Sequence, residues 1–184
     1  WLDETIAQTQ AQWLILAQQQ TFATLINSGG GGGSSWDTHP GSRSRIKAAV
    51  EARGIENVVV LTGDIHQARA CDIAEEPHTA YDAETGEGSW GVEVISSSIT
   101  SPGSTTNLGD YPHQFWSEGL MRGYIVLDIQ PERVHVDWYG YFDVFKAFED
   151  LPKEDWWKGY VTAAGANHLV EVDEPAPDKT NAPE

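Results

Sequence analysis

Cysteine occurs only once in the 184 residues, at Cys71. One thiol excludes an intrachain disulfide and any cysteine-rich zinc module. It says little about compartment, since a chain can be exported with no disulfide at all. Basic residues are scarce too: 11 Lys and Arg stand against 28 Asp and Glu, a formal net charge of −17. So acidic a chain repels phosphate backbones, which argues against a nucleic-acid-binding surface unless metal ions intervene. No apolar run approaches the roughly 20 residues a membrane-spanning helix needs, so no transmembrane segment is predicted. Apolar content is ample, at 40% hydrophobic and 10% aromatic residues, enough for the core of one domain and too much for wholesale disorder. The sequence opens on Trp1-Leu2-Asp3-Glu4, without initiator Met, signal peptide or basic leader, and the expectation is that whatever came first has been removed.

Leu2, Ile6, Trp13, Leu14, Leu16, Ala17 and Leu25 recur at three- and four-residue intervals, which predicts a helix from residue 2 to about 26. A short buried strand over Trp13–Ala17 is the alternative, because Trp-Leu-Ile-Leu-Ala is nearly continuous apolar. Gly29 to Gly33 are five consecutive glycines that can hold neither helix nor strand, so residues 28–35 read as a flexible loop or linker. Pro40-Gly41 marks a turn, and Ser42–Arg53 reads as an amphipathic helix closed by Gly54. Asn57–Thr62 is the strongest strand, β-branched and apolar on both faces, as a central strand is. Gly91–Ser96, Tyr124–Ile129, Val134–Tyr139 and Leu169–Val172 are further strands, with a hairpin turn at Pro131-Glu132-Arg133. From Glu171 onward the acidic, Pro-rich composition predicts a solvated tail over 171–184.

Chemistry concentrates at Gly63-Asp64-Ile65-His66, just past the end of the Asn57–Thr62 strand. Open α/β sheets place ligands at that end of their strands. In an extended segment, side chains two apart leave the same face, so the Asp64 carboxylate and His66 imidazole can converge on one site. Oxygen suits Ca²⁺, Mg²⁺ or Fe³⁺, and imidazole suits transition metals. The bland alternative has Asp64 capping a following helix and His66 packed in a polar crevice, since two ligands do not make a metal site. Ser96, Ser97, Ser98 and Ser101 lack the Gly-x-Ser-x-Gly elbow of a serine hydrolase and suit loop or phosphate hydrogen bonding. Trp116, Trp138, Trp156 and Trp157 are expected as core or pocket-wall aromatics. Cys71 is expected to be a buried, inert thiol.

The whole run Asn57-Val58-Val59-Val60-Leu61-Thr62-Gly63-Asp64-Ile65-His66 resembles the late metal-binding motif of the PhoD-type alkaline phosphatases, a branch of the calcineurin-like metallophosphoesterases. Four further stretches resemble the same family in the same order. They are Trp13–Phe22 with its Gln pair, Ser35-Trp36-Asp37-Thr38-His39-Pro40 followed by Arg43, Gly91–Gly103, and Arg122–Ile129. Together they cover the chain up to roughly residue 140.

The resemblance implies an α/β (α+β) fold: half of a four-layer α/β/β/α sandwich with a mixed sheet. Residues 1–170 would be the C-terminal part of the metallophosphoesterase domain. It implies hydrolysis of phosphate mono- or diesters by a metal-bound hydroxide at a Ca²⁺ and Fe³⁺ site. Asp64 would ligate Ca²⁺ and His66 Fe³⁺, acting catalytically through the metals. Trp36, Asp37 and His39 would belong to the substrate pocket; His39 stands where the family carries Tyr, so it is either a titratable pocket group or an exposed loop histidine. The family's other ligands come from an earlier half absent from this sequence, so the expected partners are a phosphate ester substrate and that N-terminal half or a second chain. Family members are exported, which implies a secreted, periplasmic or extracellular location. Two other functions remain open: a non-catalytic domain binding an ion or a partner, and hydrolysis of phospholipid diesters in a wider pocket lined by Trp36, Trp116 and Tyr111.

Overall fold

The computed structural model describes residues 1–24, 35–103, 111–141 and 154–177. The Gly29–Gly33 run and the end of the expected first helix, from Leu25 on, lie outside these residues. In chain order the elements are α1 (Leu2–Gln8), β1 (Leu14–Ala17), a 3-10 turn (Trp36–Thr38), α2 (Pro40–Arg53), β2 (Val58–Thr62), β3 (Ala68–Ala74), β4 (Ser89–Ile95), β5 (Gln114–Glu118), β6 (Arg122–Gln130), β7 (Arg133–Tyr141), β8 (Asp155–Ala163) and β9 (Val170–Val172).

Two sheets form. The first has strand order β1-β2-β4-β3-β5 and is mixed: β1, β2 and β4 run parallel, while β3 pairs antiparallel with β4 and β5. The second, β6-β7-β8-β9, is antiparallel throughout. Side chains alternate across each strand, and the first sheet uses both faces. Val58, Val60, Cys71 and Ile73 pack against Ile6 of α1 and Ile46 and Val50 of α2. Val59, Ala68, Ala70, Val92 and Val94 pack against Val134, Val136, Trp138 and Tyr160 of the second sheet. The described layers are therefore helix, sheet, sheet, the mixed α+β arrangement the resemblance implies.

The long first helix is corrected. α1 ends at Gln8, Thr9 is extended, and Leu14 donates its N–H to Asn57 as the chain joins β2. Trp13-Leu-Ile-Leu-Ala is apolar on both sides because both sides are covered: Leu14 and Leu16 lie against the helix layer, Trp13 and Ile15 against the second sheet. Tertiary pairing overrides a periodicity that a strand buried on both faces also satisfies. α2 ends as expected, with Gly54 closing it at φ 66°, but it starts two residues before Ser42: Pro40 and Gly41 form its first turn and no separate turn, since proline's missing N–H costs nothing there. The β6–β7 hairpin turns at Pro131-Glu132, and Gly123 pairs with Gly140 across it; a Cβ on Gly123 would sit 1.9 Å from the Tyr139 carbonyl oxygen.

The acidic tail is not wholly solvated. Glu171 and Val172 belong to β9, Glu171 accepts from Lys158 Nζ at 2.6 Å, and the Ala176 N–H donates to Asp137 Oδ2 at 3.0 Å. A boundary at residue 171 therefore cuts a strand; residues 178–184 lie outside the described residues. Trp157 is also corrected: it is 38% exposed and walls no core, whereas Trp138 is fully buried.

Candidate active site

The C-terminal ends of the parallel strands β1, β2 and β4 form one edge, and the loops leaving them carry the candidate site. After β2 the chain does not continue extended. Asp64 and His66 both take positive φ, 63° and 58°, a region that Asp and His tolerate better than most residues. The same-face geometry expected of an extended i, i+2 pair is thus replaced by a tight left-handed turn. No helix follows it, so Asp64 caps none; the chain enters β3.

Both side chains are exposed, and each is oriented by a different loop. Gln20 Nε2, beyond β1, donates to Asp64 Oδ2 at 2.5 Å. His66 Nδ1 lies 2.8 Å from the Pro102 carbonyl oxygen, in the loop after β4. A carbonyl only accepts, so Nδ1 is the donor in this contact and Nε2 is the ring nitrogen left available to a ligand. Metal-binding histidines are commonly fixed in this way. The Pro102 loop is itself tied down: Ser98 Oγ donates to the Ser101 carbonyl at 2.8 Å, and Gly123 N, at the start of β6, to the Ser98 carbonyl at 3.1 Å.

One carboxylate and one imidazole with a free Nε2 fit the donor chemistry of a metal centre in part. They do not complete one. Among the described residues no group of three or more His, Cys, Asp or Glu is placed to hold an ion.

Beside the turn lies a cavity of about 380 Å³ lined by Gln18, Gln19, Gln20, Ser35, Trp36, His39 and Ser42. Trp36 and His39 are thus brought together, with His39 exposed at the start of α2 and its Nδ1 2.8 Å from Thr38 Oγ1. Asp37 is not among the described lining residues. Its Oδ1 accepts from Arg43 Nη1 at 2.7 Å in a buried ion pair. The wider aromatic pocket does not assemble: Tyr111 is buried against His113, and Trp116 packs edge-on to Trp138 at 5.3 Å.

Beneath the site runs a polar network that motif reading passed over. Glu93, fully buried on β4, accepts from Phe22 N at 2.8 Å, Ala23 N at 2.7 Å and Thr62 Oγ1 at 2.6 Å. Gln18 Nε2 donates to Thr62 Oγ1, and Gln18 Oε1 accepts from Trp36 Nε1 at 2.9 Å. Burial pushes the Glu93 carboxyl up, and its hydrogen bonds oppose the shift. The signal was present in the sequence as a lone charge within an apolar strand. Cys71, opposite Glu93 on β3, is fully buried, and burial raises its thiol far above the ordinary range.

Three comparisons bear on this geometry. The family model described as PhoD-like phosphatase matches residues 1–138. "Alkaline phosphatase D" of Bacillus subtilis (strain 168) is 31% identical over 152 residues, covering 75% of this chain and 25% of its own length. A solved structure titled "Structure of PhoD" superposes with a TM-score of 0.77 at 26% identity, covering 98% of this chain and 35% of that one. The chain therefore spans about a quarter of the curated relative.

Proposed function

This chain belongs to the PhoD-like phosphatase family, and on that premise we propose that it supplies the Asp64–His66 side of a metal-assisted phosphate-ester hydrolase site. The observation that carries the reading is the His66–Pro102 contact, which engages Nδ1 and leaves Nε2 as the ring nitrogen open to a ligand, on the same exposed turn as Asp64. Asp64 would hold Ca²⁺ and His66 the iron, as the family resemblance implies; a carboxylate suits either ion, and imidazole is a ligand for transition metals such as iron. Bound cations would supply positive charge at the phosphoryl oxygens and at the attacking and leaving oxygens.

The remaining roles belong to this chain's own residues. Gln20 fixes the Asp64 carboxylate, and Pro102 fixes the His66 tautomer. Trp36 and His39 wall the cavity in which the ester's organic group rests, with Asp37 holding Arg43 and the α2 start behind them. Further ligands come from a preceding segment or a second chain, because two donors do not complete a metal centre. We place the enzyme outside the cytoplasm; its acidic charge suits that setting. Among the described residues no helix is long and apolar enough to cross a membrane.

Metal content and hydrolysis of p-nitrophenyl phosphate and bis(p-nitrophenyl) phosphate test the reading. Bound iron and calcium, lost together with hydrolysis in Asp64→Ala and His66→Ala, are expected. Hydrolysis unchanged in both variants overturns it, and the ratio of the two rates assigns monoester or diester preference.

A further inference from the structure

Glu93 lies on a strand whose neighbours Val92, Val94 and Ile95 are fully buried, and it is fully buried itself. A charge there is costly unless hydrogen bonds compensate it. Three do, and two come from consecutive backbone N–H groups of one loop, Phe22 and Ala23. That loop begins at Gln18, where β1 ends, and contains Gln20, the residue bonded to Asp64. A second buried charge grips it from the other side, as Arg43 Nη1 donates to the Phe22 carbonyl at 3.2 Å.

We propose that Glu93 is a positioning residue for the site: its carboxylate clamps the 18–24 loop, setting Gln20 on Asp64 and, through Thr62 and Gln18, the Trp36 indole on the cavity wall.

The donors run in one direction. The Trp36 indole gives its proton to the Gln18 carbonyl oxygen, the Gln18 amide donates to the Thr62 hydroxyl, and that hydroxyl donates to Glu93. A carboxylate only accepts, so it sets the sense of the whole chain. An amide in its place puts an N–H₂ against donors, and one buried donor loses its acceptor. Metal turn and cavity wall, on different loops, are thus registered against one buried group. The consequence for catalysis rests on the reading of Asp64, His66 and the Trp36 cavity given above.

The test is hydrogen exchange of the indole N–H groups in Glu93→Gln, followed by NMR, with Ca²⁺ affinity measured by calorimetry on the same protein. Trp138, whose indole donates to the Ile95 carbonyl at 2.9 Å, is the internal control for global opening. Exchange at Trp36 is expected to rise about tenfold, the equivalent of one hydrogen bond, while Trp138 is unchanged. Ca²⁺ affinity is expected to fall about tenfold or more, as when a ligand's outer partner is lost. A folded Glu93→Gln protein with wild-type exchange at Trp36 overturns the proposal. If that variant does not fold, Thr62→Val breaks the same relay while keeping the strand, and unchanged Trp36 exchange there overturns it equally. Asp64→Ala judges the underlying reading separately: unchanged Ca²⁺ affinity removes Asp64 as a ligand, while the exchange result still decides the role of Glu93.

Discussion

His66 Nδ1 and the Pro102 carbonyl oxygen lie 2.8 Å apart, joining the loop after β2 to the loop after β4. Residues 36 apart in sequence thereby decide which imidazole nitrogen is presented. His66→Ala is expected to lower cation affinity by more than the roughly 10–100-fold that loss of an outer partner costs. Calorimetry with Ca²⁺ and Fe³⁺ measures it, and an unchanged affinity removes His66 from the ligand set.

Gln20 touches Asp64 without belonging to the ligand chemistry. Gln20→Ala is expected to weaken Ca²⁺ binding by about tenfold and to leave thermal stability within about 0.5 kcal/mol of wild type, as for a solvent-edge substitution. Equal loss in both measurements would show that Gln20 supports the fold and not the ligand.

Cys71 is fully buried, and its thiolate is suppressed by burial and by the adjacent Glu93. Only the thiolate reacts readily. Ellman's reagent is expected to find no reactive thiol in the native protein and one in urea. Rapid native labelling would contradict the packing of β3 against α2.

His113 carries a pH dependence whose sign follows from its burial. Burial pulls its imidazole from 6.5 down to about 4. Unfolded, the ring takes up a proton near pH 6.5, while the folded chain resists until about 4. Its contribution to stability is therefore complete above about pH 6.5 and lost as pH falls through that window, by about 3 kcal/mol at roughly 1.4 kcal/mol per pKa unit. Asp72, pushed up by burial to about 6, acts in the opposite sense, losing stability as pH rises through that value. The His113 effect is thus read as the difference between wild type and His113→Gln in urea unfolding from pH 7.5 to 4. A difference that does not change across that range contradicts it.

Trp138 sits between the sheets, fully buried, in contact with Trp116 and Tyr160. Trp138→Ala is expected to destabilise the fold by about 3–5 kcal/mol or more, through the cavity left and the unpaired Ile95 carbonyl. A loss below about 1 kcal/mol in chemical denaturation would mean that the sheets close over the gap.

Some of this architecture was legible residue by residue. Pro40 and Gly54 bound α2 because proline and glycine each impose a backbone constraint that neighbours cannot override. Val58–Thr62 reads as a central strand because β-branched residues run without a polar break. Alternation in Val134, Val136 and Trp138 marks the face that β7 turns to the first sheet, whereas the burial of His135 and Asp137 on its other face was not legible from it. The strands β3, β5 and β8 escaped notice because Ala-Arg-Ala-Cys-Asp-Ile-Ala and Asp-Trp-Trp-Lys-Gly-Tyr carry no clean period. In β3 the polar residues are buried too, and Asp72 is satisfied by His168, distant in sequence, and by Tyr81.

Legible in consecutive residues alone were the family, the candidate ligand pair Asp64 and His66, and the strand that ends beside them. These are local properties, written in consecutive residues. Packing between distant segments settled that Leu14–Ala17 is a strand, that Asp64 and His66 sit on a left-handed turn, and that Asp37 faces Arg43 and not the cavity. It also decided that Glu93 lies under the site. Each of these depends on a hydrogen-bond partner or a covering layer supplied from elsewhere in the chain, and a burial or pairing energy between distant residues leaves no pattern in either segment alone.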